Sequence, residues 1–431
     1  MNTSLSSKPY AWVPSLYLAE SLPYVAVMVI ATTMYKRLGL SNTELALYTS
    51  WLYLPWVIKP LWSPFIAAIK TERWWVLTMQ LLIGVGFAGI AFTLPMSFWL
   101  QGSLAFFWLL AFASATHDIA ADGLYIIALS THDQSLYVGI RSTFYRIGNI
   151  LGQGLLVMLA GWLEKTQTVP VAWSITFFVL AGLFLALWGW HHLALPKPAP
   201  DLSRQREDGS GSAFFLALKT FFTKPHIFSA LLFILLFRFP EGQLVKIANP
   251  FLLDSAEAGG LAMPTEAVGF VYGTIGILGL TIGGLLGGWC VSRHGLKRWL
   301  WPMVLSISLP DIVYVYLASA ASDLSTLSPQ LSTLIVSLCV CVEQFGYGFG
   351  FTAYMLYLVY FSQGERSTAV FSICTALQAL GMMLPGMIAG WMADHLGYLH
   401  FFWWVVACCL VTFAVSAAIK IDPEYGRKKK Q

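Results

Sequence analysis

The chain has 431 residues, 57% of them hydrophobic and only 11% charged, with a mean hydropathy of +0.68. A soluble domain carries about 25% charged residues, so this composition excludes a water-soluble globular protein and points to lipid as the solvent. The net charge of +4 is no sign of nucleic-acid binding, because the basic residues are distributed by membrane topology.

A spanning helix needs roughly 20 apolar residues. Twelve such segments are predicted, at about 11–34, 44–67, 74–96, 103–128, 138–163, 170–193, 226–253, 266–290, 299–320, 331–360, 368–392 and 399–421. The N-terminus lacks a basic region, a short apolar core and a small-residue cleavage site, so the first segment is expected to be a retained span. Between the sixth and seventh segments lies "LPKPAPDLSRQREDGSGS", rich in Pro, Ser, Gly and charge, which reads as a linker. "AFFLALKTFFTKP" after it reads as a short amphipathic surface helix. The expected organisation is a six-helix bundle at 1–195, a linker region at 196–225, and a second bundle with a basic tail at 226–431.

With both termini placed in the cytoplasm, cytoplasmic segments hold 18 Lys and Arg, and outer loops hold only Lys36, Arg37 and Lys165. The positive-inside rule therefore fixes the expected orientation. The tail "GRKKKQ" reads as an anchor to anionic headgroups.

The two halves repeat. "GIRST" at 139–143 recurs as "GERST" at 364–368, and "AGW" at 160–162 recurs at 389–391. The offset of 225 between the first pair lays Asp118 over Glu343 and Gln153 over Gln378. Matched halves with one orientation are the plan of large transporters, whose site lies near the midplane between the halves. A receptor without transport needs no such repeat.

Leaving aside those near span ends (Glu44, Arg141, Glu266 and Lys420), ten charged residues fall inside predicted spans: Glu20, Lys59, Asp118, Asp122, Arg146, Arg238, Glu241, Lys246, Asp311 and Glu343. A charge at a helix centre costs about 2.5–3.5 kcal/mol to insert, so these must face one another or a wet cavity. In the fourth span, Ser114, Asp118 and Asp122 are spaced i, i+4, i+8. Asp118 and Asp122 are read as proton-coupling or gating groups, with pairing to basic residues as the alternative, and His117 lies off that face. In the fifth span, Arg146, Asn149 and Gln153 make a polar stripe. Arg146 suits a carboxylate or phosphate on a solute, and its alternative is an ion pair with Asp118 or Asp122.

In the seventh span, "LFRFPEGQLVKIANPF" carries Arg238, Glu241, Lys246 and Asn249, with Pro240 and Gly242 interrupting the helix. "LYLAESLPY" in the first span, with Glu20 and Pro23, is its counterpart; at offset 221 Glu20 matches Glu241. Paired broken helices with acids point to a binding site or gate. In the tenth span, Glu343, Tyr347, Tyr354 and Tyr357 share a face suited to stacking on a solute. Lys59 is expected to reach headgroups or an anionic solute. Asp311, beside Pro310 in the ninth span, is expected to be structural.

The candidate coupling groups are thus Asp118, Asp122, Glu20, Glu241 and Glu343. The candidate solute-binding residues are Arg146, Arg238, Lys246, Asn149, Gln153, Tyr347, Tyr354 and Lys59. No metal or cofactor is expected: the six cysteines lie in apolar segments without zinc-ligand spacing. "GTIGILGLTIGGLLGGW" at 273–289 lacks the strand and Lys-Ser/Thr ending of a phosphate loop and instead suits close helix packing. His191 and His192 are the only pair suggestive of an enzyme, and no acids lie near them in sequence, so none is expected.

Twelve spans in two repeats resemble the major facilitator superfamily. Within it, "KPLWSP" at the end of the second span, "ASATHDIAADG" in the fourth, "YRIG" in the fifth and "LYLAESLPY" in the first resemble the AmpG-like permeases. That group includes muropeptide, acetyl-coenzyme A and siderophore permeases. The resemblance implies proton-coupled solute movement by rocking of two bundles. It carries to Lys59, Asp118, Asp122 and Arg146, and places Arg238 and Glu241 where the muropeptide branch has a base and an acid. The sequence departs from the family in two places. The Asp usual after the second span is Ala67 here, and Ser292 in the second half. The Lys and Asp that follow the second acid in the muropeptide branch are Tyr125 and Ile127. The expected activity is import of a medium-sized polar solute, such as a muropeptide, by a monomer in the bacterial inner membrane. A siderophore or sugar-like permease, or an exporter of drugs or metabolites, remains the alternative.

Overall fold

The computed structural model describes residues 8–197, 211–364 and 366–426. The core of the linker (198–210) and the end of the basic tail (427–431) lie outside the described residues.

All described elements are helical. The longer helices, in chain order, are α1 (Pro9–Arg37), α2 (Asn42–Trp51), α3 (Leu54–Ile69), α4 (Glu72–Thr93), α5 (Trp99–Ala128), α6 (His132–Leu163) and α7 (Val169–Ala194). Then follow α8 (Gly211–Phe222), α9 (Ile227–Leu253), α10 (Thr265–His294), α11 (Leu296–Ser319), α12 (Pro329–Ser362), α13 (Ser367–Leu396) and α14 (Tyr398–Ala418). Eleven of these are long and apolar enough to cross a membrane. The twelfth expected span is present as α2 and α3, parted by a turn at Leu52–Tyr53. Pro55 follows that turn directly; lacking an N–H, it starts a helix more readily than it continues one.

The starts are written in the sequence. Ser41 and Glu44 close a reciprocal capping box at α2. Thr71, Ser130 and Ser328 each accept a backbone N–H at the head of their helices. Inside three spans the winding loosens to π-turns, at Ala26–Ile30, Leu151–Leu156 and Val271–Gly276. Such turns recur at functional sites. In α1 the turn follows Pro23, which removes one backbone bond. In α9 the interruption expected at Pro240 is a full break, a turn at Phe237–Arg238 with Pro240 in the first turn of the restarted helix.

The chain divides into two compact units, Met1–Met34 with Ile58–Leu216 and Tyr35–Val57 with Ala217–Gln431. The second unit thus contains a segment from the first half of the sequence, the end of α1 and all of α2. Unit one is built on an apolar cluster including Trp12, Leu16, Val76, Ala120 and Leu124. Unit two is built on Phe251, Tyr314, Val336, Phe401 and Phe402. There α10 and α12 approach backbone to backbone: a Cβ on Gly279 would lie 2.7 Å from the carbonyl of Cys341, and one on Gly283 would collide with that of Phe345. The small-residue run 273–289 therefore serves packing.

Candidate functional site

In unit one, four helices bring five charges together. Lys59 of α3 forms an ion pair with Asp118 of α5. One turn further, Asp122 pairs with Arg141 of α6 at 2.8 Å and accepts the Tyr17 hydroxyl of α1 at 3.0 Å. The Arg141 guanidinium lies over the ring of Tyr17, 4.4 Å from its centroid, and 5.5 Å from that of Tyr125. Glu20, three residues on from Tyr17, is buried beside Asp118, Asp122 and Arg141. One of its oxygens has no hydrogen-bond partner among the described residues. Three carboxylates thus share two cations. With every group ionised the cluster is one negative charge out of balance, which one bound proton corrects.

Two expectations are corrected here. The base that holds Asp122 is Arg141, near the start of the fifth span, rather than Arg146, which makes no ion pair or hydrogen bond among the described residues. The reason is register: Arg141 lies about a turn and a half before Arg146 on α6, level with Tyr17 and Asp122. Lys59 does not reach headgroups, because its ammonium is held by Asp118.

His117 is fully buried on another face of α5. Its Nε2 accepts from the Gln80 side-chain amide of α4 at 3.0 Å. The Gln80 carbonyl accepts from His191 Nδ1 of α7 at 2.9 Å, and His191 Nε2 meets the Ser15 hydroxyl of α1 at 2.9 Å. This polar chain ties four helices through their core, so His191 belongs to packing rather than to a reactive pair.

In unit two, Arg238 sits in the break of α9. It grips Glu241 with two hydrogen bonds, of 2.8 and 2.6 Å, donates to the Tyr347 hydroxyl at 2.7 Å, and lies 4.8 Å from the Phe351 ring centroid. Glu241, Tyr347, Glu343 and Asp311 line one cavity with Cys409 and Thr412. Glu343 accepts from Gln344 at 2.9 Å and from Tyr314 at 3.4 Å. Asp311, expected to be only structural, belongs to this group of acids, with the Cys409 thiol 3.5 Å from its Oδ2. The break at Leu309–Asp311 in α11 turns it inward.

Tyr354 is corrected in the other direction. It is fully buried, stacks on Phe237 at 5.2 Å and donates its hydroxyl to the Ile234 carbonyl at 2.7 Å. It packs the helix break, fully buried, with its hydroxyl proton spent on the backbone. Lys246, on the same helix as Arg238, is 1% exposed; it donates to Thr49 of α2 at 3.0 Å and lies 4.9 Å from the Tyr53 ring centroid. Asn149 and Gln153 remain half-buried on α6. Among the described residues, no group of three or more His, Cys, Asp or Glu is placed to hold a metal ion.

The residues that sequence reasoning missed are Arg141, Tyr17, Thr49 and Asp311 in this role. Arg141 had a signal: it is the base of the repeated "GIRST". Thr49 had none, because only the fold brings α2 beside α9.

Long spans, helix breaks at charged residues and ion pairs between helices together point to a polytopic solute transporter. The Major Facilitator Superfamily model matches residues 15–358, and the chain belongs to that family. Among its relatives, the anhydromuropeptide permease of Escherichia coli K12 is 25% identical over 378 residues, covering 86% of this chain and 72% of the permease. Putative transporter AmpG 4 of Rickettsia conorii is 22% identical, covering 89% of this chain and 90% of that one. Among solved structures, the nucleoside transporter NupG (D323A mutant) superposes with a TM-score of 0.73 at 14% identity, covering 95% of this chain and 99% of that one.

Proposed function

We propose that the protein is a proton-coupled importer of a medium-sized polar solute, a peptidoglycan-derived muropeptide being the first candidate, working by alternating access. One observation carries the reading: among the described residues, Glu20, Asp118 and Asp122 share only Lys59 and Arg141. A proton joining the cluster changes which acid each base holds, and so couples proton entry to helix position. A proton crossing with the membrane potential releases about 2.3 kcal/mol per 100 mV, enough to concentrate a solute severalfold. The name of the Escherichia coli relative supports the solute. The excess of cytoplasmic Lys and Arg supports an inner-membrane protein with both termini inside, and we propose a monomer of two bundles, 1–195 and 226–431, joined at 196–225.

The test is uptake of labelled anhydromuropeptide by proteoliposomes under an imposed pH gradient and potential. Wild type accumulates it, and Asp118→Asn equilibrates it without accumulation. Accumulation that survives collapse of both gradients would defeat the coupling. A sugar-like solute is the second reading, favoured by the aromatic wall of Tyr347 and Phe351 around Arg238; competition by neutral disaccharides would reveal it.

A further inference from the structure

The bases inside the helices fall into two groups. Lys59, Arg141 and Arg238 each have a carboxylate. Arg146, half-buried, and Lys246, 1% exposed, have none among the described residues. An ammonium carries three donors. That of Lys246 uses one on Thr49 and turns toward the Tyr53 ring, so its charge is left without a counter-ion. A buried charge in that position is costly until an anion joins it.

A second donor lies beside the stem of Lys246. Ser50, next to Thr49 on α2, is fully buried, and its hydroxyl has no partner among the described residues. Opposite both stands Gly386 of α13. A Cβ there would lie 2.8 Å from the Ser50 hydroxyl oxygen and 3.4 Å from Cγ of Lys246. The glycine therefore keeps the space between the Ser50 hydroxyl and the stem of Lys246 free of a side chain. Thr49 donates its own proton to the Leu45 carbonyl at 2.7 Å, so the donors left over are those of Lys246 and Ser50.

We propose that Lys246 and Ser50, oriented by Thr49 and admitted by Gly386, form a subsite for a carboxylate of the solute, a reading that rests on the transport function proposed above. One cation with one hydroxyl donor matches a singly charged, planar acceptor. A phosphate dianion calls for a second base, and Arg238, the other base of α9, is held by Glu241. Because α2 covers Lys246 in this structure, a solute reaches it only when α2 parts from α9 and α13.

The test uses the full chain in lipid nanodiscs and thermal unfolding followed by tryptophan fluorescence. The probes are N-acetylalanine and its uncharged amide at equal ionic strength. The acid is expected to raise the unfolding temperature of wild type and the amide is not. Lys246→Gln is expected to weaken the acid's effect about tenfold or more, as for loss of a charge-assisted bond. Ser50→Ala weakens it by a smaller factor and leaves the charge in place, which keeps the test open if the lysine variant folds poorly. Lys297→Gln, at the exposed start of α11, leaves it unchanged. Equal effects of acid and amide, or an undiminished effect in both Lys246→Gln and Ser50→Ala, would overturn the subsite. An intact acid-specific effect in a protein that takes up no muropeptide would instead sink the solute assignment and leave the subsite standing.

Discussion

Replacing Arg141 with Met removes the cation from Asp122 and leaves the carboxylate with only the Tyr17 hydroxyl. The side chains are 32% and 40% exposed, between the surface limit of about 0–1 kcal/mol for an ion pair and the buried limit of about 3–5 kcal/mol for breaking one. Stacking over Tyr17 adds about 0.5–2 kcal/mol that the variant also loses. The coupling between positions 141 and 122 is therefore expected at about 1–3 kcal/mol, which is roughly 5- to 150-fold in a rate or affinity. Initial uptake rates of wild type, Arg141→Met, Asp122→Asn and the double variant measure it as a double-mutant cycle. The double variant is expected to lose less than the product of the two single losses, because Asp122→Asn removes the charge that Arg141→Met strands. Arg146→Met serves as the contrast, with no coupling to Asp122. Strict additivity at 141 and 122, or coupling at 146 and 122 instead, would refute the pairing and with it the proposed role of the cluster.

Other outcomes follow from packing and from α2. Asp254→Asn breaks the pair with Lys36 (2.6 Å) in a ring that also links Asn42 and Tyr398; amide exchange across 42–51 should quicken about tenfold, and unchanged exchange would show that the ring does not hold α2. Gly283→Ala drives a Cβ into the Phe345 carbonyl, whereas Gly288 has open space around it. The first should cost about 1–3 kcal/mol in thermal unfolding and Gly288→Ala almost nothing, so equal effects would contradict the close approach of α10 and α12. Gln80→Leu strands His117 and His191 in the core and should cost about 1–3 kcal/mol per orphaned group, while His192→Ala on the exposed side of α7 should leave stability unchanged.

The spans were readable because lipid demands about 20 apolar residues from each helix, a local property of the chain. The residues that had to face inward were readable for the same reason: a charge has few tolerable places in a membrane. Their partners were not, since pairing depends on how helices rotate and slide against one another. A shift of five residues along α6 exchanges Arg146 for Arg141, and both lie in the same motif-rich stretch. Asp311, expected to be structural, lines a cavity with Glu343 at a short tight turn that hydropathy does not reveal. The split of the second span is explained by Pro55, but its consequence, that α2 packs with α9 and α13, has no local signature at all.

That placement of α2 bears on how the chain can be divided. A cut in the linker separates the gene into two tidy halves but leaves the second without residues 35–57. Expressed alone, residues 211–431 would present Gly390 with no Asn42 backbone against it, Lys246 without Thr49 and Asp394 without the Thr43 amide it caps at 2.8 Å. Complementation from two plasmids should therefore succeed better when the second fragment is supplied with residues 35–57 as a tethered peptide. Assembly therefore depends on boundaries near residues 35 and 57 as well as on the one that follows the linker.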